Sequence, residues 1–139
     1  MDRYNSEGYP DPTAYNALLA VEREKKAKPY FPLVYIASPF AGDAERNTER
    51  ARGYCRFAVS KGCIPLAPHL LYPQFMDDDD RSQRELGLRF ALILLGKCDE
   101  LWVFGLPSEG MKREIAKARK RNMPIRYFNS KCVEESADE

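Results

Sequence analysis

The chain has 139 residues, which suits one domain with a sizeable core. Its 22 basic and 21 acidic side chains leave a net charge of +1, no electrostatic footprint for nucleic acid, and an apolar fraction of 44% argues against global disorder. Four scattered cysteines (Cys55, Cys63, Cys98, Cys132) show no C-x-x-C pair or metal-ligand spacing and read as reduced thiols. With a polar stretch from Met1 to Pro10 and no membrane-length apolar run, they lead to the expectation of a cytoplasmic protein with no membrane partner.

Residues 1–12 read as an extended arm, and Thr13 caps an expected helix over 14–26 with Leu18 and Val21 on one side. Residues 1–32 are thus an N-terminal extension expected to pack on the domain 33–128. Leu33 to Ala37 is the first strand. It runs into Ser38-Pro39-Phe40-Ala41-Gly42-Asp43, a loop of small and turn-forming residues, and then a helix to about Lys61. A strand, a small-residue loop and a helix start make a cradle for an anion or nucleotide, but neither Gly-rich phosphate motif is present. Asp43 as N-cap and Glu45 in the first turn already answer the helix's positive end. Asn47 shares a face with Ala51, Tyr54 and Ala58; it either faces a pocket or bonds nearby backbone.

Gly62 closes that helix, and 63–67 form a short strand placed near an edge by Pro65. Residues 68–76 form an aromatic, apolar loop that must pack down or cover something. His69, the single histidine, sits just after the strand end, as a structural hydrogen-bonding group or as an acid. Asp77 to Asp80 lack the pattern of a calcium loop and lead into a helix over 83–96, opened by Ser82 and Glu85 as a capping box. That helix is apolar nearly all round from Leu86 to Leu95 and needs cover from the sheet and from another subunit. Arg89 lies one turn after Glu85, as its ion-pair partner or as a pocket-facing charge.

Leu101 to Phe104 is an unbroken apolar run, as in a central parallel strand covered on both faces. Ser108 caps the following helix to about Arg121, with Met111, Ile115 and Ala118 as its core stripe. Glu114 lies on the neighbouring ridge above Gly110, where nothing blocks the turn. Its carboxylate is either one more solvated charge or points into the crevice at the strand's carboxyl end. The cations from Lys112 to Arg121 complement the helix dipole and read as a solvated face. Residues 123–128 make the last strand, and 129–139 a loose acidic tail. Strands alternating with helices predict a single α/β domain of the Rossmann-like, flavodoxin-like kind, with a parallel sheet of four to five strands and helices on both faces.

From about Leu33 to Phe128 the chain resembles the nucleoside 2-deoxyribosyltransferase superfamily, which includes the deoxynucleoside 5′-monophosphate N-glycosidases. The nearest likeness is to a phage and mobile-element branch. The likeness rests on Val34-Tyr35-Ile36-Ala37-Ser38, on Asp99 to Val103, and on the S-x-G-x-x-x-E run from Ser108 to Glu114. It implies Glu114 as a nucleophile at the sugar's anomeric carbon, Tyr35 hydrogen-bonded to that carboxylate, and Ser108 on a sugar hydroxyl or phosphate. The loop carrying Ser38, Pro39, Phe40 and Gly42 would line the base and phosphate pocket. Asn47, Gly110 and Met111 are counted with these as substrate-binding residues.

The resembled enzymes carry an Asp about eight residues ahead of the position matching Asp99, and this chain has Ala91 there. The acid role then passes to His69, Glu85 or an Asp of the acidic loop, and His69 joins Glu114 and Tyr35 as an expected catalytic residue. The expected activity is cleavage or transfer of a nucleoside or nucleotide N-glycosidic bond. No cofactor or metal is expected, the partner is the small molecule, and the assembly is a homo-oligomer. The alternative is a non-catalytic nucleotide-binding module of a mobile element that keeps the pocket and lacks the acidic partner.

Overall fold

The structure, a computed structural model, describes residues 30–136; the expected N-terminal arm and helix lie outside them. The chain divides into two units, Met1–Tyr30 and Phe31–Glu139. The second unit is a Rossmann-like α/β domain. Its described elements are β1 (Leu33–Ala37), α1 (Ala44–Ser60), β2 (Ile64–Leu66), α2 (Pro68–Leu71), a 3-10 turn (Tyr72–Gln74), α3 (Arg81–Leu95), β3 (Glu100–Phe104), α4 (Glu109–Lys120), β4 (Ile125–Phe128) and β5 (Glu134–Glu135). The strands form one sheet in the order β2-β1-β3-β4-β5; the first four are parallel and β5 is antiparallel to β4.

Strand alternation assigns the two faces. Tyr35 and Ala37 of β1, with Leu101 and Val103 of β3, pack under Ala91 and Leu95 of α3 and under Met111, Ile115 and Ala118 of α4. Val34 and Ile36, with Trp102, Phe104 and Phe128, pack under Tyr54 and Ala58 of α1. The second face is an aromatic cluster. Tyr54 stacks on Phe104 at 4.2 Å, Phe104 on Phe128 at 4.8 Å, and Phe57 sets its edge against Phe128 at 5.4 Å. Such pairs contribute about 0.5–1.5 kcal/mol each beyond the area they bury. Trp102 donates its indole N–H to Glu100 at 2.8 Å, so its burial leaves no orphan donor. Asp99 ties β3 to β1: its carboxylate accepts from the Leu33 N–H at 2.8 Å, and its own N–H donates to the Leu33 carbonyl at 2.7 Å.

Several local expectations hold. Asp43 accepts from the Arg46 N–H, Gly62 adopts φ +77 after α1, and Pro65 lies on the edge strand β2, where its missing N–H breaks no ladder. Three need correction. The apolar loop 68–76 is α2 followed by the 3-10 turn, with Pro68 at the first helical position, where its missing donor is harmless.

The helix after the acidic run opens at Arg81, capped by Asp80 rather than Ser82. A carboxylate at a helix's positive end outcompetes a hydroxyl, and the Ser82 O–H itself donates to Asp80 at 2.8 Å. Glu85 consequently pairs with Arg81 at 3.4 Å rather than with Arg89. The tail is not loose at Glu134, where β5 pairs with β4 and the Arg126 guanidinium forks onto the carboxylate at 2.7 and 2.9 Å.

Candidate functional site

The chain runs from β2 across to β3 on the far side of β1, so the strand order turns at β1 and β3. Open α/β sheets bind ligands at such a switch point, outside the carboxyl ends of the strands. Here the loop after β1 meets the loop after β3: Gly105, at φ +80, would bring a Cβ within 4.0 Å of the Pro39 ring. A left-handed residue is needed to turn the chain sharply out of β3, and glycine adopts that conformation without strain.

On the face of the sheet that α4 covers, the Tyr35 hydroxyl donates to Glu114 Oε2 at 2.5 Å. Two local rules bring them together. Tyr35 is an odd-numbered residue of β1 and faces α4, and helical side chains lean toward the N-terminus, which swings Glu114 over the first turn of α4. Apart from its chain neighbours and the backbone of α4, no atom lies within 4 Å of where a Cβ on Gly110 would sit, so no other element fills the space beside that turn. Burial pushes the Glu114 carboxyl up to about 7, against the lowering effect of the tyrosine's hydrogen bond. Burial, and then the charge of Glu114, push the Tyr35 hydroxyl far above its ordinary range and keep it a donor.

A second pair sits at the end of the same strand, three residues and about 10 Å further along. Ser38 Oγ lies 3.0 Å from His69 Nε2, and the His69 ring meets the Phe40 edge at 6.1 Å. Asn47 donates from Nδ2 to the Phe40 and Ala41 carbonyls, both at 3.1 Å, so it holds the loop's shape. Gly42, at φ +99, completes the turn into α1. An imidazole acting as an acid near neutrality needs a value close to the ordinary 6.5. Burial, with no carboxylate to offset it, pushes the imidazole down to about 4, so the ring is neutral at pH 7.

Ser108 caps α4, its hydroxyl oxygen accepting from the Met111 N–H at 3.4 Å while its O–H remains a donor. Met111 is a buried core residue whose sulfur accepts from the Ser108 N–H at 3.4 Å. Glu85 and Arg89 are both exposed on α3. Ala91 is buried in the cluster that holds Tyr35, Met111 and Ile115. The structure thus joins Tyr35 to Glu114 and Ser38 to His69, and gives Asn47, Ser108 and Met111 framework bonds.

Sequence reasoning missed Tyr72. Its ring packs on Phe75 at 5.8 Å and on Phe90 at 5.9 Å. The apolar composition of the 68–76 segment is the one signal that could have found it.

Residues 32–128 match the family DUF7768, described as a domain of unknown function. The chain belongs to this family. The DUF7768 match spans β1 to the end of β4, so Tyr35, Ser38, His69 and Glu114 all fall inside it, and β5 falls outside. No curated protein matches the chain. Among the described residues of this DUF7768 member, no helix is long and apolar enough to cross a membrane.

Proposed function

We propose that the chain cleaves or transfers the N-glycosidic bond of a nucleoside or nucleotide, with Glu114 as the nucleophile. The observation that carries this reading is the 2.5 Å bond from Tyr35 to the buried carboxyl of Glu114. A carboxylate oxygen bonds to the sugar's anomeric carbon as the bond to the base nitrogen breaks, and the electron pair leaves with the base, which takes up a proton from solvent water. Water or a second base then displaces Glu114 from that carbon, giving hydrolysis or transfer. Tyr35 fixes which carboxylate oxygen accepts and leaves the other for attack. Ser108, with its O–H available at the mouth of α4, suits a sugar hydroxyl.

A neutral His69 donates a hydrogen bond to the departing base rather than a full proton. With Ala91 beside Tyr35 there is no second carboxylate at that point of the cluster. This same observation favours the second reading, a nucleotide-binding module that has lost its acid. Incubation with a panel of deoxynucleosides and their 5′-monophosphates separates the two. Release of free base that Glu114→Gln lowers by several orders of magnitude, with an intact-mass adduct of one sugar on the wild type, is the enzyme result. Calorimetric binding of a nucleotide with no base released from any substrate leaves the binding module.

A further inference from the structure

Tyr72 opens the 3-10 turn one helical turn past His69, and its backbone is held from both sides. Its N–H donates to the Pro68 carbonyl, and its carbonyl accepts from the Phe75 and Met76 N–H groups at 3.0 and 2.8 Å. Its ring is set by contacts with Phe75 and with Phe90, the α3 residue next to Ala91. Ala91 packs in the same cluster as Tyr35 and the core stripe of α4. Tyr72 follows burial, Glu114 and Cys98 among the groups that raise the Tyr35 hydroxyl, so the two phenol oxygens lie within electrostatic reach of each other. The side chain is half-buried, and its hydroxyl makes no hydrogen bond among the described residues. A tyrosine hydroxyl taken partly out of water is ordinarily paired, because leaving it unpaired costs a hydrogen bond. The neighbouring hydroxyls are engaged: Tyr35 donates to Glu114, and Ser38 is bonded to His69. Tyr72 alone of the three keeps an uncommitted donor on a fixed backbone.

We infer that Tyr72 is a further catalytic residue, its hydroxyl donating a hydrogen bond to the nucleobase as that base departs from the sugar held at Glu114. This rests on the reading of Glu114 as the nucleophile toward an N-glycosidic bond. As the carboxylate oxygen bonds to the anomeric carbon, the electron pair of the broken carbon–nitrogen bond stays with the base. An O–H directed at a ring nitrogen or carbonyl oxygen of that base offsets the growing charge. The hydroxyl keeps its own proton, and solvent water supplies the one the base takes up. The interaction strengthens as charge develops, so it acts on the rate of the step more than on the binding of the substrate.

Tyr72→Phe in the full chain tests the inference, because it removes only the hydroxyl and keeps both ring contacts. Melting and circular dichroism should match the wild type. Turnover of natural deoxynucleosides or their 5′-monophosphates should fall about 10- to 100-fold while KM changes less than about threefold. On a deoxynucleoside with an electron-poor base, whose departing electron pair needs little help, the loss should shrink to less than about threefold. A tyrosine that only shapes the fold would instead lower melting, or slow both kinds of substrate alike, and either result overturns the inference. So does a Tyr72→Phe chain that matches the wild type on every substrate; if Glu114→Gln still abolishes turnover there, the nucleophile reading stands without Tyr72. A wild-type chain that releases no base from any substrate overturns the nucleophile reading itself, and this inference with it.

Discussion

A carboxyl that titrates near 7 is half in each protonation state where most carboxyls are fully ionised, and this makes Glu114 the most informative residue in the chain. As a nucleophile it must be ionised, so turnover should rise with pH through about 7, with no limb near 6.5 from the neutral His69. Tyr35→Phe removes the hydrogen bond that lowers the Glu114 value, so the midpoint of that rise should move to higher pH. Stability carries the opposite sign. The folded value lies above the ordinary 4.5, so the contribution is complete below about 4.5 and is lost as pH rises through about 7. The loss amounts to at most about 3 kcal/mol. Urea unfolding at pH 5 and pH 8 should show this fall in the wild type, and Glu114→Gln should be flatter between the two.

Element ends are set by which group reaches the orphan N–H donors first. At α3 the Asp80 carboxylate accepts from the Ser82 and Gln83 N–H groups, and Gln83 reaches back to accept from the Asp77 N–H at 2.8 Å. Asp80→Ala should therefore cost about 1 kcal/mol in thermal or urea unfolding, and Ser82→Ala distinctly less. A larger loss at Ser82 would return the cap to the residue that sequence alone favoured. Two helices close with a left-handed residue: Gly62 after α1, and Asn122, at φ +57, after α4. Asn is one of the few side chains that tolerates that conformation.

For the whole domain, the exposed edge of the sheet is managed at one end by the Pro65 strand and at the other by β5. Arg126 lies over the Trp102 ring at 4.9 Å and the Phe128 ring at 5.3 Å while it holds Glu134. The two-residue β5, both of its residues glutamates, thereby covers the N–H and C=O groups of β4 and presents charge outward. A chain ending after Cys132 should keep its fold but expose β4. Light scattering that grows with concentration and time is expected from it and not from the full chain. Equal behaviour of both would show that β5 is dispensable as an edge guard.

What the sequence determined by itself was whatever depends on short-range pattern. β1, β3 and the stripe Met111–Ile115–Ala118 follow from hydrophobic periods of two and 3.6, and Asp43, Gly62 and Ser108 are placed by the chemistry of helix ends. The place of Glu114 on the ridge beside that stripe was legible for the same reason, because helical side-chain direction is a local rule. Its partnership with Tyr35, 79 residues away, came only as an implication of a family likeness, and the tertiary structure alone supplied the bond. The downward push on the His69 imidazole likewise comes from the tertiary structure, since desolvation depends on what packs around a side chain and not on its sequence neighbours. The same holds for the tail. Nothing local in 129–139 announces a strand, and Glu134 is ordered because Arg126 and the open edge of β4 lie beside it in space.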